Sequence, residues 1–182
     1  MWASSEMKKN IRLRKARARP ATCDDTLWLK ACHEAAHAVI AARLGILGDS
    51  ITIVQKGYEQ GWVEFSKDGS NGAWKRWPEG YIRKAILAQY AGPAASKKLE
   101  PSLDLFEAGG WYEGDMIDVD YFCMWIGDPA YYQHDINLVF ETPNWKKAVV
   151  LVEQNWPNIT FVAVELIKRK TMLRHEVEAL LN

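Results

Sequence analysis

The sequence predicts an α+β domain that is mostly α-helical, with one small β-hairpin and a C-terminal helical bundle. A helical pattern of apolar residues runs through 25–44, with no Gly or Pro inside it. Two short segments rich in β-branched and aromatic residues follow, at 50–54 and 61–65. Apolar residues then recur at helical spacing between 149 and 181, which is typical of packed helices. At 182 residues, the chain is long enough for one domain with its own core.

Composition argues against several classes of protein. Hydrophobic residues make up 48% of the chain and aromatic residues 12%, which is typical of a globular domain rather than a disordered one. No apolar run approaches the roughly 18 residues that a membrane-spanning helix needs, and no secretory signal is visible. Three cysteines, Cys23, Cys32 and Cys123, are too few and odd in number for a disulfide framework. We therefore expect a reducing, cytoplasmic location and no membrane span.

Residues 1–22 form a basic segment that we expect to be a flexible tail, separate from a domain over 23–182. Residues 1–20 hold seven of the 23 basic residues and one of the 23 acidic ones, so the rest of the chain carries a net charge of −6. The lysines and arginines within 8–19 could contact nucleic acid or an acidic partner. A solvated tail without a partner is the simpler interpretation.

The first predicted helix carries the motif H-E-x-x-H at residues 33–37. Residues four apart on an α-helix lie on one face, so His33 and His37 can direct both imidazoles to one metal ion. Glu34 lies beside them, close enough for its carboxylate to take a proton from a water on the metal. The motif therefore predicts a zinc site with hydrolytic chemistry, in which Glu34 is the general base.

Turn residues and apolar spacing predict the remaining elements. Asp24 or Asp25 can cap the first helix, and Gly45 can end it. The dipeptide Gly92-Pro93 should kink or break the second helix. The elements after the first helix are expected to be a hairpin of Ser50–Val54 with Gly61–Phe65, a loop over 67–78, a helix from Glu79 to Lys98, irregular chain over 100–114, a third helix over Asp115–Ile126, and three or four helices over 130–181.

One zinc ligand is missing from the motif, because a catalytic zinc site has three protein ligands and one open position. The metzincin pattern is excluded, since Ile40 and Arg43 stand where its glycine and third histidine would be. The acidic segment 114–120 is the richest source of oxygen ligands. Asp115 can cap the helix there, which leaves Asp118 one turn inside it.

The ordered set of motifs resembles the peptidase domain of the FtsH-type ATP-dependent zinc proteases. The family's H-E-A-G-H-A helix is matched by His33–Ala38, its G-G-R-A-A-E helix by Ala91–Ser96, its T-G-A-S-N-D-L segment by Glu113–Val119, and its closing L-x-G-x-E-V-x-x-L stretch by Leu166–Leu181. The resemblance covers residues 25–181, the hairpin included. It implies an FtsH-like peptidase domain over 23–182, with Zn²⁺ held by His33, His37 and Asp118 and with Glu34 catalytic.

The chain also departs from that family. Pro93 and Ser96 replace the Arg and Glu of the G-G-R-A-A-E motif, and Ala36 replaces the glycine of the metal helix. The chain has no G-x-x-x-x-G-K-[ST] phosphate loop. We therefore expect a stand-alone zinc metalloendopeptidase without its own ATPase, acting on peptides or unfolded proteins. A separate ATPase or adaptor could deliver its substrates.

Other interpretations of these residues stay open. A non-catalytic binding module, with or without a metal, could hold a partner through its Trp-rich surface or its basic tail, and a nucleic-acid-associated regulator could act through residues 8–19. The acidic segment could be a solvated helix face instead of a ligand source. The pair His134-Asp135 is a weaker metal candidate. The intact Glu34 favours the enzyme, because a structural zinc site needs no general base and usually closes with four ligands.

Overall fold

The computed structural model describes residues 23–55, 61–65, 77–103, 113–128 and 139–182. Within these ranges the chain is mostly helical, with one small antiparallel sheet, as the sequence predicts. The elements, in chain order, are α1 (Asp25–Leu44), β1 (Leu47–Thr52), β2 (Trp62–Phe65), α2 (Glu79–Leu99), α3 (Glu113–Ile126), α4 (Pro143–Arg169), β3 (Thr171–Leu173) and α5 (Arg174–Leu181). The predictions made for the basic tail, for most of the 67–78 loop and for His134-Asp135 lie outside the described residues.

Helix α1 begins and ends where its capping residues predict. The Asp24 carboxylate accepts a hydrogen bond from the Leu27 amide at 2.6 Å, which satisfies one of the free amides of the first turn. At the other end, Gly45 adopts a left-handed conformation with φ 71°, which side chains disfavour and glycine tolerates. Its amide bonds back to the carbonyls of Ala41 and Ala42, which closes the helix.

The predicted hairpin forms the first two strands of a three-stranded sheet in the order β2-β1-β3. Both pairings are antiparallel, and Ile51 of the central strand lies opposite Val63 on one side and Met172 on the other. The short strand β3 is not predicted from the sequence. It carries the chain from α4 to α5, so the sheet joins the hairpin to the C-terminal helices.

Helices α2 and α4 each continue through an internal proline. Pro93 lies inside α2 and Pro157 inside α4. The break expected at Gly92-Pro93 does not occur, although a proline in a helix interior costs about 3 kcal/mol. Most of the second half of α2 is buried against α1, α3 and α4, and this packing holds the helix together.

Helix α1 is the centre of the fold. Every residue from 31 to 41 is buried, so the helix has no solvent face over three turns. It packs against α2, α4, α5 and the sheet. The histidine motif therefore lies inside the domain, where neighbouring elements fix its side chains. No helix among the described residues has the length and apolarity to cross a membrane.

Candidate metal centre

His33 and His37 lie one turn apart on α1 with their Nε2 atoms 3.0 Å from each other. The ring centroids are 4.6 Å apart and the ring planes are nearly perpendicular, at 84°. Both side chains are buried. The helical spacing therefore brings the two nitrogens to one point, as the motif predicts.

Asp115, in the first turn of α3, brings a carboxylate to the same point. Its Oδ2 lies 2.9 Å from His33 Nε2 and 3.3 Å from His37 Nε2. That oxygen is buried and makes no hydrogen bond of acceptable geometry. The three residues form a group that could hold a metal ion. A buried carboxylate oxygen without a hydrogen bond, facing two imidazole nitrogens, suits a shared cation.

The spacing of the three atoms fits a small tetrahedral ion. Ligands at zinc's usual bond length of about 2.0 Å lie about 3.3 Å apart around a tetrahedron. The three separations here are 2.9, 3.0 and 3.3 Å, so an opening of a few tenths of an ångström suffices. Two imidazoles and one carboxylate are also a common ligand set of catalytic zinc.

Outer contacts orient both imidazoles. The Nδ1–H of His37 donates to the carbonyl of Ala88 at 2.7 Å, which leaves Nε2 with its lone pair for a metal. His33 Nδ1 lies 3.2 Å from the Ser96 hydroxyl. Ala88 and Ser96 are both on α2, so one helix fixes both rings.

Gly92, on the same helix, lies directly over the two rings. A Cβ built on Gly92 would stand 2.6 Å from His37 Cε1 and 2.7 Å from His33 Cε1. Real Cβ atoms do not approach other atoms this closely. Only glycine lets the backbone of α2 pass this close to the histidines.

Glu34 is buried next to the two histidines and is bounded by the hairpin. A Cβ on Gly61, just before β2, would stand 2.6 Å from Glu34 Oε1 and 2.8 Å from the Thr52 carbonyl. Burial raises the pKa of Glu34, while the neighbouring His33 and His37 oppose the rise. The backbone of the hairpin thus fixes the position of the carboxylate and shields it from water.

Without a metal, His37 and Asp115 form a charged pair. Burial alone would lower the pKa of His37, but the Asp115 carboxylate, Glu34 and the Ala88 carbonyl together outweigh it and raise that pKa to about 9. Burial would raise the pKa of Asp115, but His37 and His33 outweigh it and hold it well below its usual range. The site favours one positive charge beside the aspartate, whether from a proton or from a metal.

Asp118 is not the third member of the group, and this prediction is corrected. Its Oδ2 accepts a hydrogen bond from Gln89 Nε2 at 2.8 Å, and Asp115 contacts the imidazoles instead. The helix also begins at Glu113, so Asp115 lies within its first turn and is not the residue before it.

The phase of α3 explains the correction. Its buried residues are Met116, Val119, Phe122 and Cys123. At 100° per residue, Asp115 falls within the arc of these side chains, whereas Asp118 lies about 60° further towards solvent. This apolar pattern is visible in the sequence and could have identified Asp115. No comparable sequence signal identifies Gly61 or Ser96, because their contacts depend on how the elements pack.

Comparison of the chain with protein-family models and with curated proteins finds no match. The resemblance to FtsH-type peptidases stays a prediction from the motifs.

Proposed function

We propose that this protein is a zinc-dependent metallopeptidase of the H-E-x-x-H type that hydrolyses peptide bonds. The observation that carries the proposal is the convergence of His33, His37 and Asp115 within 2.9–3.3 Å, with Glu34 buried alongside. Metal ligands and a candidate base thus come together in one buried place.

His33, His37 and Asp115 would hold the ion. Zinc bound by three protein ligands lowers the pKa of a water in the open position and polarises a carbonyl oxygen. The hydrogen bond of His37 to Ala88 and the contact of His33 with Ser96 keep both Nε2 atoms directed at the site.

Glu34 is the proposed general base and acid. Its carboxylate accepts a proton from the attacking water as oxygen bonds to the scissile carbonyl carbon. It then returns that proton to the leaving amine as the C–N bond breaks. Burial raises the pKa of Glu34, which makes its carboxylate a stronger base for taking the proton of the attacking water.

The ligand count supports an enzyme over a structural zinc site. Structural sites usually close with four protein ligands, and the group found among the described residues has three. A non-catalytic module would also have no need of a buried carboxylate next to the ligands. This alternative predicts zinc binding without hydrolysis, so metal analysis together with a cleavage assay distinguishes it from the enzyme.

The proposed substrates are peptides or unfolded proteins in extended conformation. Strand β2 is an edge of the sheet and begins one residue after Gly61, which contacts Glu34. An extended peptide could pair with that edge and pass the ligand group. Folded proteins would need a separate ATPase or adaptor to unfold them.

The test combines metal analysis with a cleavage assay on an unstructured peptide. Purified protein should contain close to one zinc per chain, and His33→Ala should lose most of it. Glu34→Gln should keep the zinc and lose cleavage, because coordination remains and the proton acceptor is gone. Wild-type protein that binds zinc and cleaves no peptide would support the binding module. Unchanged cleavage by Glu34→Gln would remove Glu34 from the reaction.

A further inference from the structure

A hydrogen bond between two side chains joins α2 to α3 close to the candidate metal centre. Gln89 Nε2 of α2 donates to Asp118 Oδ2 of α3 at 2.8 Å. The Gln89 side chain is buried, so its amide depends on this partner. Asp118 lies one turn after Asp115 on α3, and both therefore move together with the helix.

The neighbouring residue on α2 contacts the other ligand helix. The carbonyl of Ala88 accepts the Nδ1–H of His37 at 2.7 Å. Two consecutive residues of α2 thus hold α1 and α3 at once, one through His37 and the other through Asp118. The distance from Asp115 to the histidines depends on both contacts.

Apart from Asp115 and Asp118, the side chains that α3 directs into the core are apolar. Met116, Val119 and Phe122 are buried on the face of α3 that packs inward. Apolar packing is non-directional and tolerates small rotations of a helix. A rotation of α3 by a few degrees would move the Asp115 oxygen away from the imidazoles. A directional hydrogen bond resists that rotation.

We propose that Gln89 and Asp118 are a positioning pair that holds α3 in the rotation at which Asp115 reaches His33 and His37. This role rests on the proposed metal centre. Asp118 is not itself a ligand and acts through Asp115. Loss of such an outer contact typically costs about 10- to 100-fold in metal affinity.

Two other roles of Asp118 make different predictions. If Asp118 acted only through its negative charge, Asp118→Asn would weaken zinc binding as much as Asp118→Ala. If Asp118 were a direct ligand, Asp118→Asn would also weaken zinc binding. In a positioning pair, Asp118→Asn retains affinity, because the amide oxygen can still accept from Gln89.

The experiment measures the zinc affinity of purified full-length protein by competition with a chelator. We expect Asp118→Ala and Gln89→Glu to bind about 10- to 100-fold more weakly, the second because two carboxylates face each other. We expect Asp118→Asn to bind like the wild type. The double variant Gln89→Glu/Asp118→Asn should also bind like the wild type, because the new amide can donate to the new carboxylate at unchanged length and net charge.

Failure of the double variant to recover affinity would overturn the positioning pair, as would equal loss in Asp118→Asn and Asp118→Ala. Thermal unfolding of the metal-free variants separates this role from a general loss of stability. If Asp118→Ala does not fold, the zinc affinities of Asp118→Asn, Gln89→Glu and the double variant still test the positioning pair. Zinc binding by the wild type with all variants unaffected would overturn this inference alone. A wild type that binds no zinc would overturn the metal centre, and the pair with it.

Discussion

The backbone of Gly92 presses against the imidazole of His37. A Cβ at this position would stand 2.6 Å from His37 Cε1, closer than real Cβ atoms approach other atoms. The two residues are on different helices, so this contact sets how closely α1 and α2 pack at the ligand group.

Gly92→Ala should abolish zinc binding while leaving the protein folded. The added methyl would meet both rings, and the histidines would have to turn away from Asp115. Zinc content of the purified variant is the measurement, with circular dichroism as the check on folding. Zinc retained at the wild-type level would show that the gap between the helices can widen.

Gly80→Ala is the matched control on the same helix. A Cβ on Gly80 has no atom within 4 Å of it, outside its own neighbours on the chain and helix. This substitution should leave zinc content and cleavage unchanged. It should raise the free energy of unfolding by at most about 1 kcal/mol, since alanine favours a helix over glycine.

Asp115→Asn should weaken zinc binding by more than the roughly 10- to 100-fold that the loss of an outer contact costs. The variant keeps the size of the side chain but loses the anionic oxygen between the two imidazoles. Chelator competition measures the affinity, and Asp118→Asn is the comparison. Equal affinity of Asp115→Asn and the wild type would exclude Asp115 as a ligand.

Gly61→Ala should separate binding from catalysis. Its methyl would meet Glu34 Oε1 at 2.6 Å and would displace the carboxylate, while no ligand atom is among its three nearest contacts. We expect normal zinc content and a large loss of cleavage rate on an unstructured peptide. A variant with a normal rate would show that Glu34 tolerates displacement, and one without zinc would show that the hairpin supports the ligands.

Metal-free protein should lose stability as the pH rises from about 6.5 to about 9. The pKa of His37 is raised in the folded protein from 6.5 to about 9, so its contribution is complete below 6.5 and disappears as the pH passes 9. The pKa of Asp115 is lowered from 3.8, so its contribution is present above 3.8 and disappears at lower pH. Thermal unfolding in excess chelator, followed as a function of pH, measures the loss of stability at both the alkaline and the acidic end. A melting temperature that does not fall between pH 6.5 and 9 would contradict the charged pair, and His37→Gln should flatten the curve.

The convergence of two histidines beside a glutamate could be predicted from the sequence because it is local. His33, Glu34 and His37 share one helix, and helical geometry alone brings the two imidazoles together. The caps of that helix, Asp24 and Gly45, are also local signals, and both ends are as predicted. The hairpin was predictable for the same reason, since its two strands are close in the chain.

The third carboxylate was predicted at the wrong residue because it depends on helix phase. Asp115 and Asp118 are about 60° apart around α3, and motif matching alone favours the second. The depth of each side chain is decided by the packing of Met116 and Val119 against α2. Strand β3 was missed because three residues carry little periodic signal, and its pairing with β1 joins distant parts of the chain.

The close approach of α2 to α1 at Gly92 also limits which cations the domain can select. Calcium takes six to eight oxygen ligands at 2.3–2.6 Å, and a hydrated magnesium ion keeps several of its waters. One carboxylate and two imidazoles lie next to Gly92. The backbone of α2 can move away from them only if the buried helices α1 and α2 separate. An abundant alkaline-earth ion would therefore gain too few oxygens to compensate for its lost hydration. If the three residues hold a metal ion, the spacing of the helices selects against its commonest competitors as well as the ligand types do.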